Sequence, residues 1–364
     1  MSNYTDYTIV TVGSHSALDI CRGAKDEGFK TLVIVEYGRD KTYSNYFKSR
    51  QALGCVDEVL YVDKFKDILK PEIQKKLVAK KAIFIPHRSF EVYVNDYDSI
   101  EKDFQVPIFG NKHLLRFEER DQKPNQYDIL EKALIKYPKL FKNPKDIDRL
   151  VIVKVLEKER GFERAFFLAA SSMDFEDQSQ MLIKEKKITR EALKAAVIEE
   201  FILGVQVNFN FFYSPLSAKL ELMGTDTRRQ TNLDGILRLP SIYQSKILEK
   251  INVKYEEAGH IAVTVLESML ESAFEIGEKF VKAAKEMAAP GVIGPFSLQS
   301  VITPGPPKKE IVVFDVSPRM PGSPGISATP YTTYLYGHPV SMGRRIAMEI
   351  REAIVQNGLK EVAT

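Results

Sequence analysis

The chain contains no tryptophan and only two cysteines, and charge breaks every apolar run well before it could cross a bilayer. Each scarcity removes a class of protein. A transmembrane helix needs roughly 20 consecutive apolar residues, so no membrane association is expected. Cys21 and Cys55 stand far apart, which excludes a disulfide scaffold and a cysteine zinc site and points to a reducing, cytoplasmic setting. A bias of charge is missing too: 52 basic and 49 acidic side chains are interspersed and leave a formal +3. Such a chain has no global field for nucleic acid, and any anion site must be local. Met1–Tyr4 shows no basic stretch followed by an apolar one, so no targeting segment is expected. A dinucleotide glycine fingerprint, a Walker-type phosphate loop and a nucleophile with a base at fixed spacing are also missing.

In the first third, apolar runs at 7–12, 30–35, 58–62 and 82–86 alternate with helical stretches at 16–27 and near 43–53. That alternation predicts a parallel α/β layer whose ligands sit in the loops at the carboxyl ends of the strands. Two loops fit: Gly13-Ser14-His15-Ser16 and Pro86-His87-Arg88-Ser89. Each residue taken singly is equally well read as a helix cap or an ordinary loop residue. Residues 117–148 are polar and broken by Pro124, Pro138 and Pro144, as a connecting region of short helices would be.

Leu150–Lys154 reads as a strand ending in a lysine. The turn Glu159–Arg164, whose one glycine is Gly161, then leads to a returning strand at 165–169, giving a thin flap that can fold over phosphates. Lys154 would supply a point charge there, and the other reading, a lysine that ends an edge strand, is the weaker of the two. In Val197–Gly204, Glu199 and Glu200 sit in an apolar run, where burying both is costly. One of them is expected to face a ligand, with the neighbouring backbone against an adenine edge. Strong alternation from Val205 to Met223 predicts an antiparallel sheet. A polar loop with paired arginines is expected at 225–235, and long amphipathic helices at 261–287 and 342–355.

Near the C-terminus, Ile311–Phe314 delivers Asp315 at the end of a strand. Residues at i, i+2 and i+4 of an extended segment share a face, so Asp315, Ser317 and Arg319 converge, beside a neighbouring strand carrying Gln299. A carboxylate, a hydroxyl and a guanidinium in one place suit a hard cation and phosphate oxygens. A solvated edge strand fits the spacing equally well.

Taken together, Gly13–Leu18, Gly23–Phe29, Ile85–Phe90, Phe209–Pro215, Asn232–Gly235 and Ile293–Phe296 resemble the archaeal FAICAR synthetase (PurP) family over essentially the whole chain. The resemblance implies an ATP-grasp fold with an N-terminal Rossmann-like domain (1–120), a small subdomain with a phosphate flap (121–204) and a large subdomain with the metal site (205–364). It implies a ligase of purine biosynthesis that joins formate to the amine of 5-aminoimidazole-4-carboxamide ribonucleotide (AICAR), using ATP and Mg²⁺, with Mn²⁺ as a substitute. It also implies a closed homo-oligomer, trimer or hexamer. Carried over by position, AICAR falls to His15, Ser16, Ser89 and His260. ATP falls to Lys154, Glu199, Glu200, Phe201, Ile202 and Glu221, the metal to Gln299 and Asp315, and the catalytic cations are Arg319 and Lys154. The chain departs from the family's pattern in three places: an acidic metal ligand is replaced by Gln299, another is shortened to Asp315, and an asparagine is replaced by His260. These departures motivate two alternatives, a ligase for a different amine nucleotide or acid and a non-catalytic nucleotide-binding protein.

Overall fold

The protein is described here from a computed structural model, which covers residues 3–155, 166–251, 257–305 and 307–364. The flap turn expected at 159–164 lies outside these residues.

The described residues form three sheets. The first is parallel, in the order β3-β2-β1-β4, with β1 Thr8–Val12, β2 Lys30–Glu36, β3 Glu58–Val62 and β4 Ala82–Phe84. Every residue of β1 is buried, as β-branched runs are when both faces of a parallel sheet are covered. The expected helix near 43–53 is not present: one helical turn, Thr42–Tyr46, gives way to isolated bridges pairing Lys48 with Val56 and Arg50 with Leu53.

The second sheet is antiparallel, order β5-β8-β6-β7, with β5 Leu140–Phe141, β6 Val151–Lys154, β7 Phe166–Ala169 and β8 Val197–Glu200. Because β6 lies between β8 and β7, Lys154 is on an interior strand, not an edge. The third sheet has the order β11-β10-β9-β12-β13, with β9 Val205–Ser214, β10 Lys219–Gln230, β11 Glu257–Ala262, β12 Gly294–Thr303 and β13 Glu310–Ser317. Each sheet lies within one of the three segments expected from the sequence.

Two expectations fail in the third sheet. The polar stretch 225–235 is not a loop: β10 continues to Gln230, placing Arg228 opposite His260 on β11, and a short helix Thr231–Leu237 follows. The helix expected from 261 begins only at Leu270, because β11 runs to Ala262 and the backbone of Val263 still bonds Thr225. The β-branched residues Ile261, Val263, Thr264 and Val265 favour the extended chain there. The C-terminal helix Met342–Val355 packs on the helix Ala17–Asp26 so closely that a Cβ on Gly23 or Gly343 would overlap the opposing backbone.

Apolar packing joins distant parts of the chain. One core cluster contains Ile9, Ile20 and Phe29 of the parallel layer together with Phe212, Ile293, Ile346 and Ile350 of the last third. The second sheet has its own cluster, built on Phe141, Val151, Phe167, Phe175 and Ile198.

Candidate active site

A cavity of about 850 Å³ opens where the three sheets meet. Its floor is the inner face of the third sheet. In register across adjacent strands stand Asp315 on β13, Gln299 on β12, Asn208 on β9 and Asp226 on β10. The next row holds Ser317, Ser297 and Asn210. A register shift between Gln299 and Ser300 makes a bulge at Phe314, so Phe314 and Asp315, although consecutive, both line the cavity.

On the side of the second sheet, Lys154 is buried and gives its ammonium to Glu199 at 2.7 Å, while the Tyr127 hydroxyl takes the other Glu199 oxygen. Glu199 lines the cavity, and its carboxylate is held there by a lysine and a tyrosine of the protein itself. Glu200 pairs with Arg149 at 3.1 Å, and the Phe201 amide already bonds Leu150 O at 2.9 Å. Glu200, Phe201 and Ile202 all line the cavity. Burial pushes the Lys154 ammonium down despite Glu199, and its tip lies 5.4 Å from the Phe314 ring centroid.

Opposite stand the two loops of the parallel layer. His15 lines the cavity with left-handed backbone (φ 50°) and stacks on His87, centroids 5.4 Å apart. Burial, with His87 and Arg319 nearby, pushes the His15 imidazole down to about 2, so it is neutral at physiological pH. Ser89 also lines the cavity. Ser16 does not: its hydroxyl donates to Pro321 O at 2.6 Å, which ties the β1 loop to the segment after β13. His260 is the reverse of His15. Burial alone would lower its pKa, but hydrogen bonds to Asp226 and Glu257 hold it at about 9, so it is charged.

Arg319 faces the cavity with its guanidinium anchored behind, 2.7 Å from Glu118 and 3.8 Å from Glu91. Glu221 is corrected: it lies outside the cavity, bonded to Arg345 at 2.7 and 3.0 Å and to Tyr336 at 2.6 Å. Arg120, Phe314, Asn208, Asn210 and Asp226 were not singled out from the sequence. Arg120 is 2.9 Å from Asp315.

The residues fit a divalent cation. Burial would raise the Asp315 carboxyl, but Arg120, Lys154 and further arginines hold it at about 2. Gln299 Oε1 and Asn208 Oδ1 are buried hard oxygens with no hydrogen-bond partner. No group of three His, Cys, Asp or Glu among the described residues could hold a metal, so the cation would depend on substrate phosphates for the rest of its shell. No helix among the described residues is long and apolar enough to cross a membrane.

Residues 9–141 match a family model described as "Protein of unknown function (DUF1246)", and residues 174–364 match "Domain of unknown function (DUF1297)". The chain is 38% identical to the 5-formaminoimidazole-4-carboxamide-1-(beta)-D-ribofuranosyl 5'-monophosphate synthetase of Methanopyrus kandleri, covering 99% of this chain and 95% of that protein. The namesake protein of Methanocaldococcus jannaschii is 39% identical, covering 97% and 93%. Among solved structures, the IMP biosynthesis protein PurP from Thermococcus kodakaraensis is similar with a TM-score of 0.72 and 29% identity, covering 98% of this chain and all of that one. A 2-oxoglutarate carboxylase biotin carboxylase domain from Hydrogenobacter thermophilus, solved with MgADP and bicarbonate, shares the fold at a TM-score of 0.60 and 13% identity, covering 93% of this chain and 69% of that one. This chain therefore has an ATP-grasp fold and belongs to the 5-formaminoimidazole-4-carboxamide-1-(beta)-D-ribofuranosyl 5'-monophosphate synthetase family.

Proposed function

We propose that the chain is an ATP-dependent ligase that formylates the amine of AICAR with formate, giving the formamido ribonucleotide of purine biosynthesis. The observation that carries this reading is one cavity with two chemically different sides. Lys154 and residues 199–202 stand on one side and His15, Ser89 and His260 on the other, and Asp315, Gln299 and Arg319 lie between them.

Formate is a poor acyl donor, because hydroxide would have to leave. Transfer of the γ-phosphoryl group of ATP to a formate oxygen releases ADP and gives formyl phosphate. The amine nitrogen then forms a bond to the formyl carbon, the C–O bond to phosphate breaks, and the amine proton is released. Lys154 and Arg319 supply positive charge to the phosphates. Asp315 and Gln299 would hold Mg²⁺, or Mn²⁺ in its place, with Asn208 beside them. When bound, the cation neutralises charge on the transferring phosphoryl group. Neutral His15 offers a ring nitrogen for hydrogen bonding, while His260, both of whose ring nitrogens are bonded to carboxylates, would shape the pocket beside the ribonucleotide. Glu221 is not part of this proposal. The resemblance's closed homo-oligomer, trimer or hexamer, remains part of it. The exposed apolar side chains Ile242, Tyr243 and Leu248 support that assignment, and sedimentation tests it.

The test is phosphate release from ATP with Mg²⁺, formate and AICAR, each left out in turn. Release that requires all of them supports the reading. Release with another amine nucleotide in place of AICAR would favour a different acceptor, the alternative that His260 motivates. ADP binding with no turnover on any amine would favour a binding protein.

A further inference from the structure

Arg120 belongs to none of the roles assigned above. Its Nη2 lies 2.9 Å from Asp315 Oδ1, its Nε donates to the Tyr127 hydroxyl at 3.1 Å, and Glu199 Oε1 is 3.6 Å from Nε. With Lys154 on Glu199 at 2.7 Å, two cations and two carboxylates close a neutral quartet against the wall of the cavity. We propose that Arg120 is a phosphate-binding residue that rests on Asp315 and exchanges places with the divalent cation when a metal–nucleotide complex enters. This inference rests on the nucleotide and metal half of the proposed function.

The partners of Arg120 show why it is the guanidinium free to leave. Arg319 is 6% exposed and fixed to Glu118, a carboxylate itself nearly buried. Arg120 is 20% exposed, and two of its three partners, Glu199 and Tyr127, have a second one ready. If it departs, Glu199 keeps Lys154, and the Tyr127 hydroxyl keeps Glu199. Asp315 alone loses its paired cation, and the incoming metal replaces it. A buried carboxylate left without a cation is costly, so departure of Arg120 and arrival of metal are coupled. The freed guanidinium has a planar fork that matches phosphate oxygens, and the phosphates must lie beside the metal that Asp315 and Gln299 would hold.

The exchange predicts opposite shifts from one substitution. In calorimetric titrations, Arg120→Met should bind Mn²⁺ alone about tenfold more tightly than wild type, because nothing competes for Asp315, and ADP with Mn²⁺ about tenfold more weakly. Arg120→Lys, which keeps the charge but loses the fork, should move both affinities the same way by less. Thermal melting of both variants checks folding, and the lysine variant serves if the methionine variant does not fold. Unchanged or weaker Mn²⁺ binding, or unchanged ADP binding in a folded variant, would overturn the exchange. These titrations contain neither formate nor AICAR, so an error in the acceptor assignment leaves their outcome standing. A wild-type protein that binds no ADP with Mn²⁺ would overturn the nucleotide site itself, and the exchange with it.

Discussion

His15 and His260 line the same cavity in opposite protonation states, and the difference lies in their partners. His15 has a ring and a guanidinium beside it, whereas His260 has two carboxylates. The pKa of His260 rises on folding from the ordinary 6.5 to about 9. Its contribution to stability is therefore complete below about pH 6.5 and disappears as pH climbs through 9. His260→Gln should cost on the order of 2 kcal/mol near pH 6, after allowance for solvent screening, and nothing above pH 9. Urea unfolding at the two pH values checks this, and a constant difference would refute it. Lys154→Met should be harsher at neutral pH. It leaves Glu199 buried with only Arg120, 3.6 Å away, to balance it, at a cost of about 3 kcal/mol, read as a fall in the urea midpoint.

Residue-scale reading of the sequence went as far as strand periodicity allows. Asp315, Ser317 and Arg319 were legible because an apolar run fixed their alternation, and all three line the cavity. Phe314 was not, because a bulge breaks the alternation and leaves no mark in the residue types. Arg120 was hidden for another reason: it sits in a polar connecting segment, and only tertiary structure brings it to Asp315, 195 positions away.

At the scale of elements, the close crossing of the helices Ala17–Asp26 and Met342–Val355 depends on Gly23 and Gly343, where backbone meets backbone. Gly23→Ala or Gly343→Ala must push the helices apart. The expected loss is about 2–3 kcal/mol, at the upper end of the usual cost of overpacking because no flexible side chain can yield. Thermal melting measures it. A change within 0.5 kcal/mol would mean that the helices part freely. Both helices were read from their apolar periodicity, and 342–355 came out with its observed bounds. The helix read at 261–287 was started too early, taking in the end of β11, because a short amphipathic run fits both periods and only pairing with β10 decides between them.

For the whole molecule, the shared core matters more than the order of segments along the chain. The parallel layer has a cluster of its own around Val10, Leu32, Phe84 and Phe90, but it shares a second with the last third, where Ile9, Ile20, Phe212 and Ile350 are buried together, so each loses part of its core without the other. The second sheet closes around its own apolar residues. Calorimetric unfolding should accordingly show the first and last segments melting as one cooperative unit, with the second sheet (140–200) free to melt apart, since Ile129, Leu130 and Ile135 belong to the core of the last third. Residues 1–120 expressed alone should not give a cooperative transition. A stable, cooperatively folded 1–120 fragment would contradict this. The three segments implied by the resemblance do not contain this partition, since nothing in local pattern says which apolar faces meet.

The bulge at Phe314 also offers an optical handle. With no tryptophan anywhere in the chain, Phe314→Trp would introduce a single indole whose face lies against the Lys154 ammonium, now 5.4 Å from the ring it replaces. Fluorescence excited selectively at that indole would then report, without any label, the arrival of a nucleotide beside the lysine.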